Sequence, residues 1–125
     1  MVLTATKEAS VQIEVKGRHT EITDEIRQHV EKRFARVARQ VPESAELEVE
    51  LSEEKNPAIA DRYIAEATLW AKGATLRAHE ASPKMLHSIH EIAEDIRRQV
   101  KRHSELQRKR SQTRRLVARL RGRAA

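Results

Sequence analysis

The chain has 125 residues, 35% of them charged and only 2% aromatic, with a formal net charge of +6. That length suits one domain, and its core must be aliphatic. The absence of cysteine excludes a disulfide framework, thiol catalysis and a Cys-based zinc site, and no apolar run approaches membrane-spanning length.

The opening MVLTATKEAS lacks the long apolar segment of a signal peptide. The expectation is a cytoplasmic protein with residues 1–10 disordered. Charge is unevenly spread. Residues 101–125 hold ten Lys/Arg and one acid, Glu105, a net of +9, which leaves −3 for residues 1–100. A mildly acidic body with a basic tail suggests nucleic acid or an anionic membrane as partner.

VQIEVK (11–16) alternates, with Val11, Ile13 and Val15 on one side, and predicts a half-buried strand that GRH (17–19) breaks. Thr23 is a good N-cap, with Asp24 and Glu25 at the positive end of the helix dipole. The helix runs to about Gln40 and stops before Pro42. Residues 45–52 alternate again, with Leu47, Val49 and Leu51 inward and Glu46, Glu48 and Glu50 outward. A polar loop (53–61) containing Pro57 follows. Strands at 62–70 and 74–80 flank a hairpin turn at Lys72-Gly73. That turn sets Leu69 opposite Leu76 and Ala67 opposite Ala78 on one face. Trp70 then faces Thr75, Thr68 faces Arg77 and Glu66 faces His79 on the other.

Ser82 and Pro83 predict a second helix start, as N-cap and first helical residue. Met85, Leu86, Ile89, Ala93, Ile96 and Val100 form its apolar stripe. Beyond Val100 the stripe decays, so the helix should project past the body, with the last fifteen or so residues disordered. The expected fold is α+β, in the order β-α-β-β-β-α. Two helices cover one face of a four-stranded sheet and leave the other open. The domain spans 11–103, and 104–125 form a basic helical extension or tail.

At 100° per residue, Ile26, Val30, Phe34, Val37 and Val41 fall within an arc of roughly 80° facing the sheet. Lys32, Arg36 and Arg39 lie opposite, with His29 near them and Arg27 and Arg33 on the flanks. A solvated face is the ordinary reading of such a side. Three features weigh against it. Few acids share it, Arg outnumbers Lys, which suits bidentate phosphate contacts, and the second helix also turns basic late, at Arg97, Arg98, Lys101 and Arg102. The glutamate row of the open sheet face would repel phosphate. Stacking of bases on that face needs aromatics, and only Trp70 is available.

His87 and His90, with Glu91 and Glu94 nearby, are spaced for ligation, but one helical cluster without a distant partner makes no zinc site. No catalytic triad order or phosphate loop is present. Neither an enzyme, a cofactor, a metal nor a small-molecule substrate is expected.

In order along residues 11–103, GRH, ITDEIRQHVEKR, LSEEKN, IAEATL and RRQVKR resemble the bacterial ribosome hibernation-promoting factor and ribosome-associated inhibitor A family. The resemblance implies a fold like that of double-stranded-RNA-binding domains. It also implies binding in the decoding region of the small ribosomal subunit, near its 16S-type RNA. A protein there blocks mRNA and the A- and P-site tRNAs and silences translation under stress or in stationary phase. The positions it marks for ribosomal RNA are Arg27, Arg33, Arg36, Arg39, Arg98 and Arg102. Lys32 and Lys101 are added from the wheel and the charge run. Arg18 is a further candidate, with holding the strand-to-helix turn as its other reading. Arg108, Lys109, Arg110, Arg114 and Arg115 of the tail complete the candidates. The alternative function is a general RNA- or DNA-binding module led by that tail. Leu86 stands where many members carry an aromatic. The second domain of the long forms, which pairs ribosomes, has no room in this chain.

Overall fold

The structure is a computed structural model that describes residues 11–71 and 73–124, with only the backbone of 123 and 124. The expected disorder of 1–10 and the conformation of Lys72 lie outside the described residues. Seven elements follow in order: β1 (Gln12–Arg18), α1 (Asp24–Arg33), α2 (Ala35–Gln40), β2 (Glu46–Glu53), β3 (Tyr63–Ala71), β4 (Ala74–Ser82) and α3 (Met85–Ala124). The sheet order is β1-β2-β3-β4. β1 and β2 run parallel, and the other two pairings are antiparallel. Parallel neighbours need a crossover, and α1–α2 supplies it.

The β3–β4 register matches the expected one pair for pair, from Leu69 opposite Leu76 to Glu66 opposite His79. The tight turn requires Gly73, whose φ is +81°. GRH does not break β1, because the strand continues through Gly17 and Arg18, paired with Leu51 and Ser52. The chain turns just after, where His19 has φ of 60°. A Cβ on Gly17 would sit 2.4 Å from the Thr20 carbonyl oxygen, so the motif's glycine is needed for this close turn.

The first expected helix is two. Thr23 caps α1, its Oγ1 accepting from the Ile26 amide at 3.2 Å. At Phe34, ψ opens to 4°, far from the helical value of about −42°. Hydrogen bonds still bridge the break, from Phe34 N–H to Val30 O and from Ala38 N–H to Phe34 O. The ring of Phe34 is fully buried, so the two segments share one anchor. α3 begins two residues later than expected. Ser82 closes β4 instead of capping the helix, and its Oγ accepts from Lys84 N–H at 3.3 Å. Ser88, fully buried, donates to the Tyr63 carbonyl at 2.6 Å and lies 2.7 Å from Ser82 Oγ. These bonds tie the start of α3 to β3 and β4.

Central strands β2 and β3 bury Leu47, Val49, Leu51, Ala65, Ala67 and Leu69 almost completely. Against them α3 packs Ile89, Ala93, Ile96 and Val100 as expected, together with Ile92 and Ser88, which the stripe omitted. Leu86, counted in the stripe, is 42% exposed, because it sits beside the core-facing arc. α3 also corrects the tail. Instead of disordered residues the helix continues through Ala124, and residues 104–122 are exposed throughout. The ordered body helix removes the nucleation cost for the turns that follow it.

Candidate nucleic-acid interface

α1–α2 lies parallel to the first half of α3. His29 neighbours Leu86 and His90, Arg36 neighbours Glu94, and Gln40 and Val41 share a groove with Val100 and His103. The two helical runs therefore present one outer surface, opposite the side that Val30, Phe34, Val37 and Ile96 bury. Arg27, Lys32, Arg33, Arg36 and Arg39 are exposed on its first strip, and Arg98, Lys101 and Arg102 on its second. Among the described residues, the ion pairs use Lys16, Arg18, Arg62 and Arg97. None of the eight helix cations takes part. A desolvated or paired cation offers little to a new anion, whereas a free guanidinium keeps its donors for phosphate.

The seam between the helices holds buried polar groups that sequence reasoning assigned to the surface. His29 is half-buried, and its Nε2 has no hydrogen-bond partner. Desolvation, then the charges of Arg33, Lys32 and His90, hold its pKa below the ordinary histidine value. Glu94 bonds Arg97 at 3.0 Å. That guanidinium, with His90 and Arg36 adding, holds the carboxyl below the usual range. Arg97 is thus occupied, while Arg98 beside it is free.

The opposite face of the sheet handles charge differently. Lys16 Nζ lies 2.7 Å from Glu48, and Arg18 reaches Glu50 at 2.9 Å. The glutamate row is thus partly neutralised by β1. Arg18 belongs to this face, apart from the helix cations, and its ion pair joins β1 to β2. Trp70 is 41% exposed there, in a shallow groove with Glu48, Glu50, Glu66, Thr68, Arg77 and His79. One ring among carboxylates offers no stacking platform. Arg108, Lys109, Arg110, Arg114 and Arg115 stand on the projecting part of α3 and are all exposed. No group of three or more His, Cys, Asp or Glu side chains is arranged for a metal among the described residues. No described helix is long and apolar enough to cross a membrane.

The family model described as sigma 54 modulation protein / S30EA ribosomal protein matches residues 13–108. The chain belongs to this family. The match takes in both helix strips and ends where α3 leaves the body, so most of the projecting segment lies outside the S30EA region. Similar curated proteins are named ribosome hibernation promotion, or promoting, factor. One, from Picosynechococcus, is 29% identical over 92 residues, 73% of this chain and 48% of the relative. The chain thus spans about half of that relative's length. Another, from Azotobacter vinelandii, is 29% identical over 102 residues, 82% of this chain and 91% of the relative. Among solved structures, the N-terminal domain of Thermus thermophilus Protein Y superposes with a TM-score of 0.65 at 30% identity. It covers 74% of this chain and 98% of that domain. A ribosomal subunit interface protein from Coxiella burnetii shares the fold at 16% identity, with a TM-score of 0.64 over 75% of this chain and 98% of its own. The S30EA fold is therefore the α+β architecture expected from the sequence.

Proposed function

We propose that this S30EA-family protein is a non-enzymatic silencer of translation that works on the ribosome in the cytoplasm. Its helix layer seats in the decoding region of the small subunit, against 16S-type ribosomal RNA. In that position its body occupies the space that mRNA and the A- and P-site tRNAs need. Inhibition is steric, and no bond is made or broken.

The observation that carries this reading is the surface of eight exposed helix cations with no ion-pair partner among the described residues, inside the S30EA match. Its relatives' name, ribosome hibernation promoting factor, supplies the partner class. Phosphate contacts position a protein without reading sequence, so site choice rests on the shape of the RNA pocket.

Co-sedimentation with purified small subunits tests the reading. Saturable binding of one copy per subunit, displaced by mRNA together with initiator tRNA, is the expected result. Binding that neither ligand disturbs refutes occlusion. A general RNA-binding module led by the C-terminal helix is the second reading, favoured by the exposed basic residues of 104–122. It predicts many copies per subunit and no competition.

A further inference from the structure

The last turns of α3 are an arm, about 28 Å long for the nineteen residues 104–122 at about 1.5 Å each. Their single acid is Glu105. At about 100° per residue, the arm's arginines sort into two ridges. Arg110, Arg114 and Arg121 fall within an arc of about 40°, and Arg108, Arg115 and Arg119 within another, the two centres about 140° apart. Between them lie mostly small residues, Ser104, Ser111, Ala118 and Gly122, with Gln107 at the first turn as the one longer side chain. The first ridge continues the direction that Ile92, Ile96 and Val100 take into the core, so it points away from the body's cationic surface. It cannot share the phosphates that Arg98 and Arg102 would meet.

The ridges are also costly to the free protein. Arg110 and Arg114, and Arg115 and Arg119, stand four apart, a spacing at which like charges destabilise a helix by about 0.2–0.5 kcal/mol per pair. A helix made only for solubility alternates its charges at that spacing, and beyond Glu105 and Lys109 this one does not. A partner with two rows of negative charge relieves both ridges together.

We infer that the arm lies along a groove of double-helical RNA, with one arginine ridge on each phosphate row, at a segment separate from the one held by the body. The wide, shallow groove of A-form RNA accepts a helix of about 10–12 Å diameter, and past Gln107 the small side chains between the ridges permit close approach. Exposed Leu106, Leu116, Val117 and Leu120 form an outer stripe facing away from that groove. An anionic membrane would use this stripe, but it carries no aromatic anchor, and Lys109 interrupts it.

The inference rests on ribosomal RNA as partner, so its test uses no ribosome. Full-length chains carry R110Q/R114Q/R121Q, R108Q/R115Q/R119Q or L116Q/L120Q, and each is titrated with a blunt-ended RNA duplex over a salt series. Each ridge variant should bind at least about tenfold more weakly at 0.1 M salt and lower the log–log salt slope by about two to three. The leucine variant should bind as the parent does. Loss from only one ridge overturns the groove. Loss from the leucine variant, or binding to phosphatidylglycerol vesicles in preference to the duplex, assigns the arm to a membrane and overturns it too. If ridge effects persist on the duplex while mRNA and tRNA fail to displace the protein from subunits, occlusion falls and the arm's role stands.

Discussion

On the open face of the sheet, Lys16 and Arg18 meet Glu48 and Glu50 at 2.7 and 2.9 Å, whereas on the helix layer Arg33, Arg36 and Arg39 form no ion pair with any described residue. The difference lies in how each element places neighbours. Adjacent strands also hold diagonal same-face neighbours about 7–8 Å apart, within reach of long side chains. Lys16, which faces Glu50, thus reaches diagonally to Glu48, and Arg18, which faces Ser52, reaches diagonally to Glu50. A helix offers only the residues three and four away. For Arg36 those before it are Arg33 and Lys32, and for Arg39 the residue three before it is Arg36. The same abundance of charge gives a partly self-neutralised surface on one side and a receptive one on the other. Arg27 has Asp24 and Glu31 at these spacings, as Arg98 has Glu94 and Asp95, and Lys101 and Arg102 have Glu105, so the contrast is sharpest at Arg33, Arg36 and Arg39.

The largest way to break the contrast is to detach the helix layer. Phe34 is fully buried and joins α1 to α2. F34A should lose about 3–5 kcal/mol of stability, read by urea denaturation, and ribosome binding should fall with it. Reversing charge on the receptive face comes next. R36E/R39E should weaken small-subunit binding by at least about tenfold at 0.1 M salt, while stability changes by no more than about 0.5 kcal/mol. E48Q/E50Q on the sheet face should leave binding unchanged. Equal effects from the two pairs would show that net charge, and not the helix face, governs binding.

Ser88 sharpens the comparison from below, since it fastens α3 to the sheet. S88A leaves the Tyr63 carbonyl without its 2.6 Å donor and should cost about 1–3 kcal/mol, seen as a lower Tm. A smaller effect resides in the helix seam. His29 has its folded pKa below the unfolded 6.5, so the unfolded chain binds the proton first. Stability should therefore fall as pH drops through about 6.5 toward the lower folded pKa. H29Q should flatten that part of a Tm–pH profile, and an unchanged profile would show that the seam histidine does not titrate with folding. Last, K16A should leave Tm almost unchanged, since its pair is an exposed surface one.

Much of this could be read along the chain. Strict alternation identified two inward rows, Val11 to Val15 and Leu47 to Leu51, because a strand's side chains alternate whatever lies beside it. The two-residue turn before Ala74 fixed the β3–β4 register, a local constraint. Periodicity likewise put Val30, Phe34 and Val37 inside and the arginines outside. Other features depended on what packs where. Nothing local made β1 and β2 neighbours, or separated α1 from α2 at a residue of ordinary helical character. His29 read as surface on its own helix, because only α3 brings Leu86 and His90 against it. The tail read as disordered because its composition cannot bury a core. It is helical because α3 enters it already wound.

The sequence by itself determined most of the inward strand and helix positions and which helix cations lie opposite them, since both follow from periods of two and about 3.6, though it missed Ile92 and Ser88 and counted Leu86 inside. Tertiary structure alone decided that those cations form one surface, that Arg18 faces the other way, and that the arm's arginines hold a fixed angle to the body. Those relations join residues distant in sequence, and only packing sets their geometry.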